Sequence, residues 1–460
     1  MSVSVSPTEN EATSRYLADC RSDPELRNVM ARTRLPEMFA RSYEGLLLPR
    51  PLLASERRVR AFADDLAAVF ALLVSLPRRL FGGDLEAYCT AAGIDPPLAA
   101  LMTQGATGNP PLFGRSDAFD DGDSFKLIEF NVGTELGGME YGELARCLLE
   151  APAFAEFAAE HRLAYTDTAQ IVADLLRELA APVATSDRPN VVLLETTGGI
   201  AAHANYRAVA EAMCARGLDF RLGEVQDTEL RHGRLELDGI PIDVVLRFYA
   251  AGEILGCPRG PEVLEPVLAA AEAGGTVLYT GLENSLFSAK GALALLSDER
   301  YREEFTLAER AVIDSVIPWT RPLTRSGELH QLARAERGDL IVKPSVGWGA
   351  VGAVLGEAVT DDEWAALLTQ RADRGYVLQQ VVRPSAERVC DPVTGRVEDW
   401  IANWGVFVTP SGYSGAFSRA LRPRDGRVIT FGNPGTRGAT TFTIPDAGFR
   451  SELDQAGETS

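Results

Sequence analysis

Of the 460 residues only three are lysine, Lys126, Lys290 and Lys343, against 42 arginines. A chain that meets nearly every generic need for positive charge with arginine keeps lysine for places that want a slim point charge, such as a gap between phosphate oxygens. Chance survival in an arginine-biased composition competes with that explanation for any one of the three. The surroundings of Lys343 point to phosphate. In IVKPSVGWGAVGAVLG it closes a predicted strand ahead of Gly347, Gly349 and Gly352, and glycines let backbone N–H groups approach an anion closely. The loop is neither G-x-x-x-x-G-K-[ST] nor G-x-G-x-x-G, so an ordinary hairpin with a solvated lysine stays open. Further on, YVLQQVVRP carries Gln379 and Gln380 on an apolar strand that runs through Val382 into a linker. An apolar slot edged by amide groups suits an adenine ring, and a solvated strand end fits the same letters.

A second constellation lies upstream in GRSDAFDDGDSFKLIEFN, which contains Arg115, Asp117, Glu129 and Asn131. Glu129 and Asn131 are two apart on one predicted strand and share a face, and Asp117 reaches them across a hairpin. Two carboxylates and an amide oxygen are hard ligands of the kind Mg²⁺ takes together with phosphate oxygens and water. Acidic loop residues beside DDGD offer the plainer explanation. Alternation places Lys126 on the face opposite Glu129, which implies a structural role.

Elements must hold these groups together. Apolar residues from Val59 to Leu73 recur at three- and four-residue spacing and predict an amphipathic helix over Ser55 to Phe81, within a mainly helical first 110 residues. From Phe125 strands and helices alternate. VVLLET, FRLGEV, IDVVLRF and TVLY read as strands, with helices over His203–Arg216, Glu262–Ala273 and Ser288–Leu296. After about residue 335 DLIVKP, AVLGEA, YVLQQVV, WIANWGVFVT, YSGAFSRALR and RVITFG read as strands, with a helix over Asp361–Arg371. The fold class is α/β plus α+β. The turn Thr196–Gly199 with His203, and Arg247 with Glu253, are further candidates for lining a site.

Composition excludes several classes. With 46% hydrophobic, 24% charged and 8% aromatic residues the chain can bury a sizeable core, which excludes global disorder, collagen and coiled coil. A net charge of −20 argues against binding a phosphate backbone, so no nucleic-acid partner is expected. No stretch reaches the length of apolar residues a membrane span needs, and no basic n-region precedes an apolar one, so a soluble, cytoplasmic protein is expected. The six cysteines are widely spaced without a C-x-x-C pair and are expected to be reduced and mostly buried. A homodimer is an arrangement the sequence leaves open.

Taken in order, R-x-D (Arg115, Asp117), LIEFN (Glu129, Asn131), SAKGALALL (Lys290), KPSVGWG (Lys343), YVLQQVV and GVFVTPSGYSGAFSR (Arg419) resemble the circularly permuted ATP-grasp ligases. In particular they resemble the synthetase domain of glutathionylspermidine synthase and its relatives. The chain departs from that pattern in Val132-Gly133-Thr134 where the family has aspartate and proline, in Ala289 for asparagine, in Trp348 for arginine, and in extra length between Lys290 and Lys343. The resemblance implies a permuted ATP-grasp core divided as a metal-binding part over 111–185, an α/β substrate side over 186–285, an ATP-binding part over 286–385 and the end of the sheet over 386–450. A helical region over 15–110 and disordered tails at 1–14 and 451–460 complete the expected layout. It implies ATP held by Lys290, Lys343, Gly347, Gly349, Gln379, Gln380 and Val382, and two Mg²⁺ ions held by Asp117, Glu129 and Asn131. Arg115 and Arg419 would be the catalytic arginines, and the substrates small-molecule carboxylates and amines joined through an acyl phosphate. A small-molecule kinase and a nucleotide binder without catalysis are the alternatives.

Overall fold

The computed structural model describes residues 10–134, 136–347 and 349–446, and these pack as one mixed helix and sheet body. The helix Glu11–Ser22 begins inside the expected N-terminal tail, because Asn10 caps it by accepting from the Thr13 N–H while Tyr16, Leu17 and Cys20 bury one face. The C-terminal tail at 451–460 lies outside the described residues. The long helix Glu56–Phe81 starts at Ser55, whose hydroxyl accepts from the Arg58 N–H, and ends at Gly82 in the left-handed conformation. Its stripe of Val59, Phe62, Leu66, Val69, Phe70 and Leu73 is buried against the strands Val397–Thr409 and Gly412–Leu421.

Those strands belong to a seven-stranded sheet running Leu52–Ser55, Arg437–Ile444, Gly412–Leu421, Val397–Thr409, Gly114–Asp120 and Phe125–Val132, with Ala386–Cys390 added on Val397–Thr409. The helical N-terminal region thus supplies an edge strand that pairs in parallel with the last described strand, Arg437–Ile444. RVITFG does not form the expected strand. Val428 and Phe431 are exposed there, and the strand comes later, at Arg437–Ile444, where alternate residues pack on both sides.

A second sheet of four parallel strands, Val277–Tyr279, Val244–Arg247, Asn190–Glu195 and Asp219–Glu224, matches the expected α/β layer, and its helices include Thr168–Ala180 and Asn205–Ala215. The helix expected over Glu262–Ala273 starts late, at Glu265, after a 3₁₀ turn over Gly260–Leu264. A third, antiparallel sheet of Thr320–Pro322, Tyr376–Gln380, Leu340–Pro344 and Val354–Leu355 carries the glycine loop. AVLGEA gives only two strand residues before a 3₁₀ turn, and helix Asp361–Arg371 matches its expected bounds. Leu323, Ala333, Val342, Trp364, Leu368 and Leu378 form a separate small core beneath this sheet. No described helix is long and apolar enough to cross a membrane. All six cysteines are free, four of them buried, with Cys214 exposed and Cys257 between.

Trp364 is the keystone of that small core, buried to 1% exposure with its indole N–H donating to the Ala333 carbonyl at 2.9 Å. Trp364→Ala is expected to cost about 3–5 kcal/mol, read by urea unfolding, with hydrogen exchange accelerating first in residues 320–380.

Candidate active site

The cleft between the large sheet and the glycine-loop sheet collects most of the residues singled out from the sequence. In the hairpin of Gly114–Asp120 and Phe125–Val132, Arg115 lies opposite Asn131 and Asp117 opposite Glu129. The register slips between Asp117 and Ala118, which leaves Ile128 as an extra residue. Such a bulge inverts the alternation beyond it. Phe125, Leu127, Phe130 and Val132 are therefore buried, while Lys126, Glu129 and Asn131 share the cleft face. The expectation that Lys126 points away from Glu129 fails for this reason.

Asp117 stands between two arginines. Arg419 Nη2 donates to its Oδ2 at 2.7 Å and Arg115 Nη2 to its Oδ1 at 3.3 Å. Burial works to raise the Asp117 carboxyl, but the two guanidinium groups outweigh it and hold the group below the usual aspartate range. Burial, opposed by Asp117 and reinforced by Arg419, draws the Arg115 guanidinium below its ordinary value. Asn131 Nδ2 donates to Asp117 Oδ1 at 3.4 Å, so its amide stands beside that carboxylate. Across the cleft Lys290 Nζ donates to Glu129 Oε1 at 2.6 Å and to the Gly347 carbonyl at 3.0 Å. Lys343 Nζ donates to Gln379 Oε1 at 2.8 Å and to the Ile128 carbonyl at 3.4 Å. Burial is the main force on Lys343, followed by the opposing pull of Glu129, and its ammonium is pushed down to about 8.

Local structure explains this convergence. Lys290 opens helix Lys290–Ser297, whose first turn is docked on the strand bearing Lys343: Lys290 N–H donates to the Ser345 carbonyl at 2.8 Å and Gly291 N–H to Ser345 Oγ at 2.9 Å. Position 291 requires glycine, since a Cβ there would stand 1.9 Å from the Ala92 carbonyl oxygen. Ser345 is buried and donates to that same carbonyl, so the start of the Ser345–Ala350 loop is fixed. Gly347 and Gly349 have φ of 151° and 62°, Gly349 is exposed, and Trp348 lies outside the described residues.

Several expected residues sit elsewhere. Gln379 is buried, with its amide nitrogen donating to Thr320 Oγ1 at 3.1 Å and its oxygen under Lys343, so it positions the lysine and does not face the cleft. Gln380 and Val382 do line a cavity, together with Lys126 of the hairpin strand. Arg247 is fully buried, its guanidinium donating to the Thr280, Gly281 and Tyr249 carbonyls, and Glu253 caps its own helix at Ala250 N–H. Neither lines the cleft. His203 is exposed and rests on the Tyr206 ring, and Thr197 donates to Gln226. This loop still approaches the glycine turn after Asn131, where a Cβ on Gly137 would meet Asn205 Nδ2 at 3.6 Å.

Two residues escaped the sequence reading. Asn403, opposite Arg419 in register, is buried and accepts from Arg419 Nη2 at 3.1 Å. A lone amide in the apolar run WIANWGVFV was the available signal. Glu140, fully buried, accepts from Tyr43 Oη and from the Gly138 N–H, next to the Gly137 carbonyl that takes Arg115 Nη1 at 2.8 Å. Burial raises its carboxyl. Gly138, at φ 102°, lies so close to the Phe417 ring that a Cβ would meet it at 2.3 Å. No signal in the sequence marked Glu140.

No family model and no curated protein matches the sequence significantly. Solved structures do match. A glutathione synthetase-like effector from Globodera pallida, in its apo form, shares the fold with a TM-score of 0.55 at 14% identity, covering 96% of this chain and 100% of that one. A gamma-glutamylcysteine synthetase-like protein from Methylobacillus flagellatus matches more loosely, with a TM-score of 0.42 at 14% identity over 81% of this chain and 88% of its own. The chain is a mixed helix and sheet protein that shares its fold with the glutathione synthetase-like effector.

The lowered ammonium of Lys343 has a consequence for stability. Between about pH 8 and the ordinary lysine value of 10.5, the folded chain has released the Lys343 proton while the unfolded chain still holds it. The unfolded state then binds more protons, so this contribution raises stability with pH across that window. The stability difference between wild type and Lys343→Met, followed by urea unfolding, is expected to move in favour of wild type from pH 8 to pH 10.5 and to stay level below pH 7.

Proposed function

We propose that the protein is an ATP-dependent ligase that joins a carboxylate to an amine through an acyl phosphate. One observation carries the reading: among the described residues, Lys290, Lys343, Arg115 and Arg419 converge in one cleft on the carboxylates of Asp117 and Glu129, with the buried Glu140 behind Arg115. Among the described residues these four cations outnumber the carboxylates that face them, Glu140 included, in a chain whose net charge is −20. A polyphosphate supplies that charge, and the glycine loop beside Lys343 offers backbone N–H groups for it.

The oxygen ligands fit Mg²⁺ on their chemistry. No group of three or more His, Cys, Asp or Glu among the described residues could hold a metal alone. Two carboxylates with the Asn131 amide make the incomplete hard-oxygen set that Mg²⁺ accepts when phosphate oxygens and water supply the rest. Asp117, Glu129 and Asn131 would hold it, and it would offset charge on the transferring phosphoryl group. Two ions are the number the resemblance implies.

Lys290 and Lys343 bind the phosphates, exchanging their contacts to Glu129 and Gln379 for phosphate oxygens. Arg419, whose buried Nε has no partner among the described residues, and Arg115 flank the point where a substrate carboxylate meets the γ-phosphate. They hold the acyl phosphate and then the oxyanion formed when the amine attacks its carbonyl carbon. Phosphate leaves with the bonding electrons of the C–O bond, and the amine nitrogen gives up its proton to solvent. Small-molecule acid and amine enter from the side of the glycine turn over 133–138 and the ends of the parallel strands. The reaction needs no covalent enzyme nucleophile, because ATP activates the acid.

The test is ADP release measured over a matrix of carboxylates and amines. Release that requires both partners supports ligation, and release with an acid or alcohol alone supports the kinase alternative. Glu129→Gln and Lys343→Ala are each expected to lower kcat/KM by at least about a hundredfold, which corresponds to losing two or more charge-assisted contacts. Unchanged turnover in either variant contradicts the assignment.

A further inference from the structure

The nucleotide reading leaves one lysine without a task. Lys126 was expected to face away from the cleft, but the Ile128 bulge turns it onto the face that carries Glu129 and Asn131. At about 3.3 Å per residue, three positions along the strand set Lys126 roughly 10 Å from Glu129. That is farther than the β- and γ-phosphates extend from a metal and matches the reach of the nucleoside end of the same molecule.

A cavity of about 540 Å³ opens at that end, lined by Lys126, Ser297, Trp319, Gln380 and Val382. Pockets of about 300–1,000 Å³ hold drug-sized ligands, so a nucleoside fits. The cavity's charges narrow the choice of contact. Its other cations are taken, Arg302 by Asp314 at 2.7 Å and Arg383 by Asp339 at 2.7 Å. Lys126 Nζ donates to a neutral group, the Ser315 carbonyl near the end of helix Leu307–Val316, at 2.5 Å. Four carboxylates, those of Asp121, Glu299, Asp314 and Asp339, border the same space. They disfavour phosphate there and tolerate an uncharged sugar and base.

Resting on the nucleotide reading above, we propose that Lys126 is a nucleotide-binding residue whose ammonium donates to the ribose hydroxyls of ATP. The helix Leu307–Val316 belongs to the extra length between Lys290 and Lys343, so this segment helps hold the lysine at the cavity.

Binding measured calorimetrically with Mg²⁺ present tests this without relying on turnover. ATP and 2′,3′-dideoxy-ATP are titrated into wild type and Lys126→Met, with melting temperatures confirming that the variant folds and Lys126→Ala as the substitute if it does not. The expected result is a loss of about tenfold for ATP in the variant and little loss for the dideoxy nucleotide. Equal losses for both nucleotides, or none for ATP, overturn the assignment while leaving the nucleotide site standing. Failure of wild type to bind ATP at all overturns the nucleotide reading and this proposal together.

Discussion

Among the described residues, one cleft buries more cationic than carboxylate side chains, and the rest of the structure depends on that constraint. An unpaired ion inside a protein is costly, so a fold retains such groups only where neighbours hold them in place. Here the neighbours can be named. Asp117 is shared by Arg115 and Arg419, Glu129 answers Lys290, and Gln379 with a strand carbonyl supports Lys343. Asn403 behind Arg419 and Glu140 beside the turn that receives Arg115 complete the support. The lowered ammonium of Lys343 shows the tension that remains.

The architecture brings those groups together from distant parts of the chain. The hairpin with Asp117, Glu129 and Asn131 is an edge of the large sheet, Arg419 lies two strands away across Val397–Thr409, and Lys343 belongs to a different sheet. Helix Lys290–Ser297 is the clamp between the two sheets. Its first turn docks on Ser345 through glycine at 291, so its lysine faces the large sheet while its backbone is bonded to the other. A small core under the glycine-loop sheet, separate from the two larger ones, leaves that sheet structurally distinct.

Much of this was legible in the sequence, because local patterns report local structure. The strand Phe125–Val132, the helix Asp361–Arg371 and the α/β layer followed from local patterning, while one shared cleft was what the family resemblance implied. What escaped was non-local or broke periodicity. The bulge at Ile128 turned Lys126 to the cleft face, and alternation cannot reveal an extra residue. The strand Leu52–Ser55 exists because Arg437–Ile444 is there to pair with it. Gln379 and Gln380 are adjacent and of one type, yet strand geometry sends one under Lys343 and the other to the cavity.

The most direct test of a triphosphate seat is a crystal structure grown with a non-hydrolysable ATP analogue and Mn²⁺, whose anomalous signal locates the metal. The account predicts Mn²⁺ among Asp117, Glu129 and Asn131, with the analogue's phosphates in contact with Lys290 and Lys343. An analogue bound elsewhere, or those two lysines still on Glu129 and Gln379 with the nucleotide in place, would contradict it.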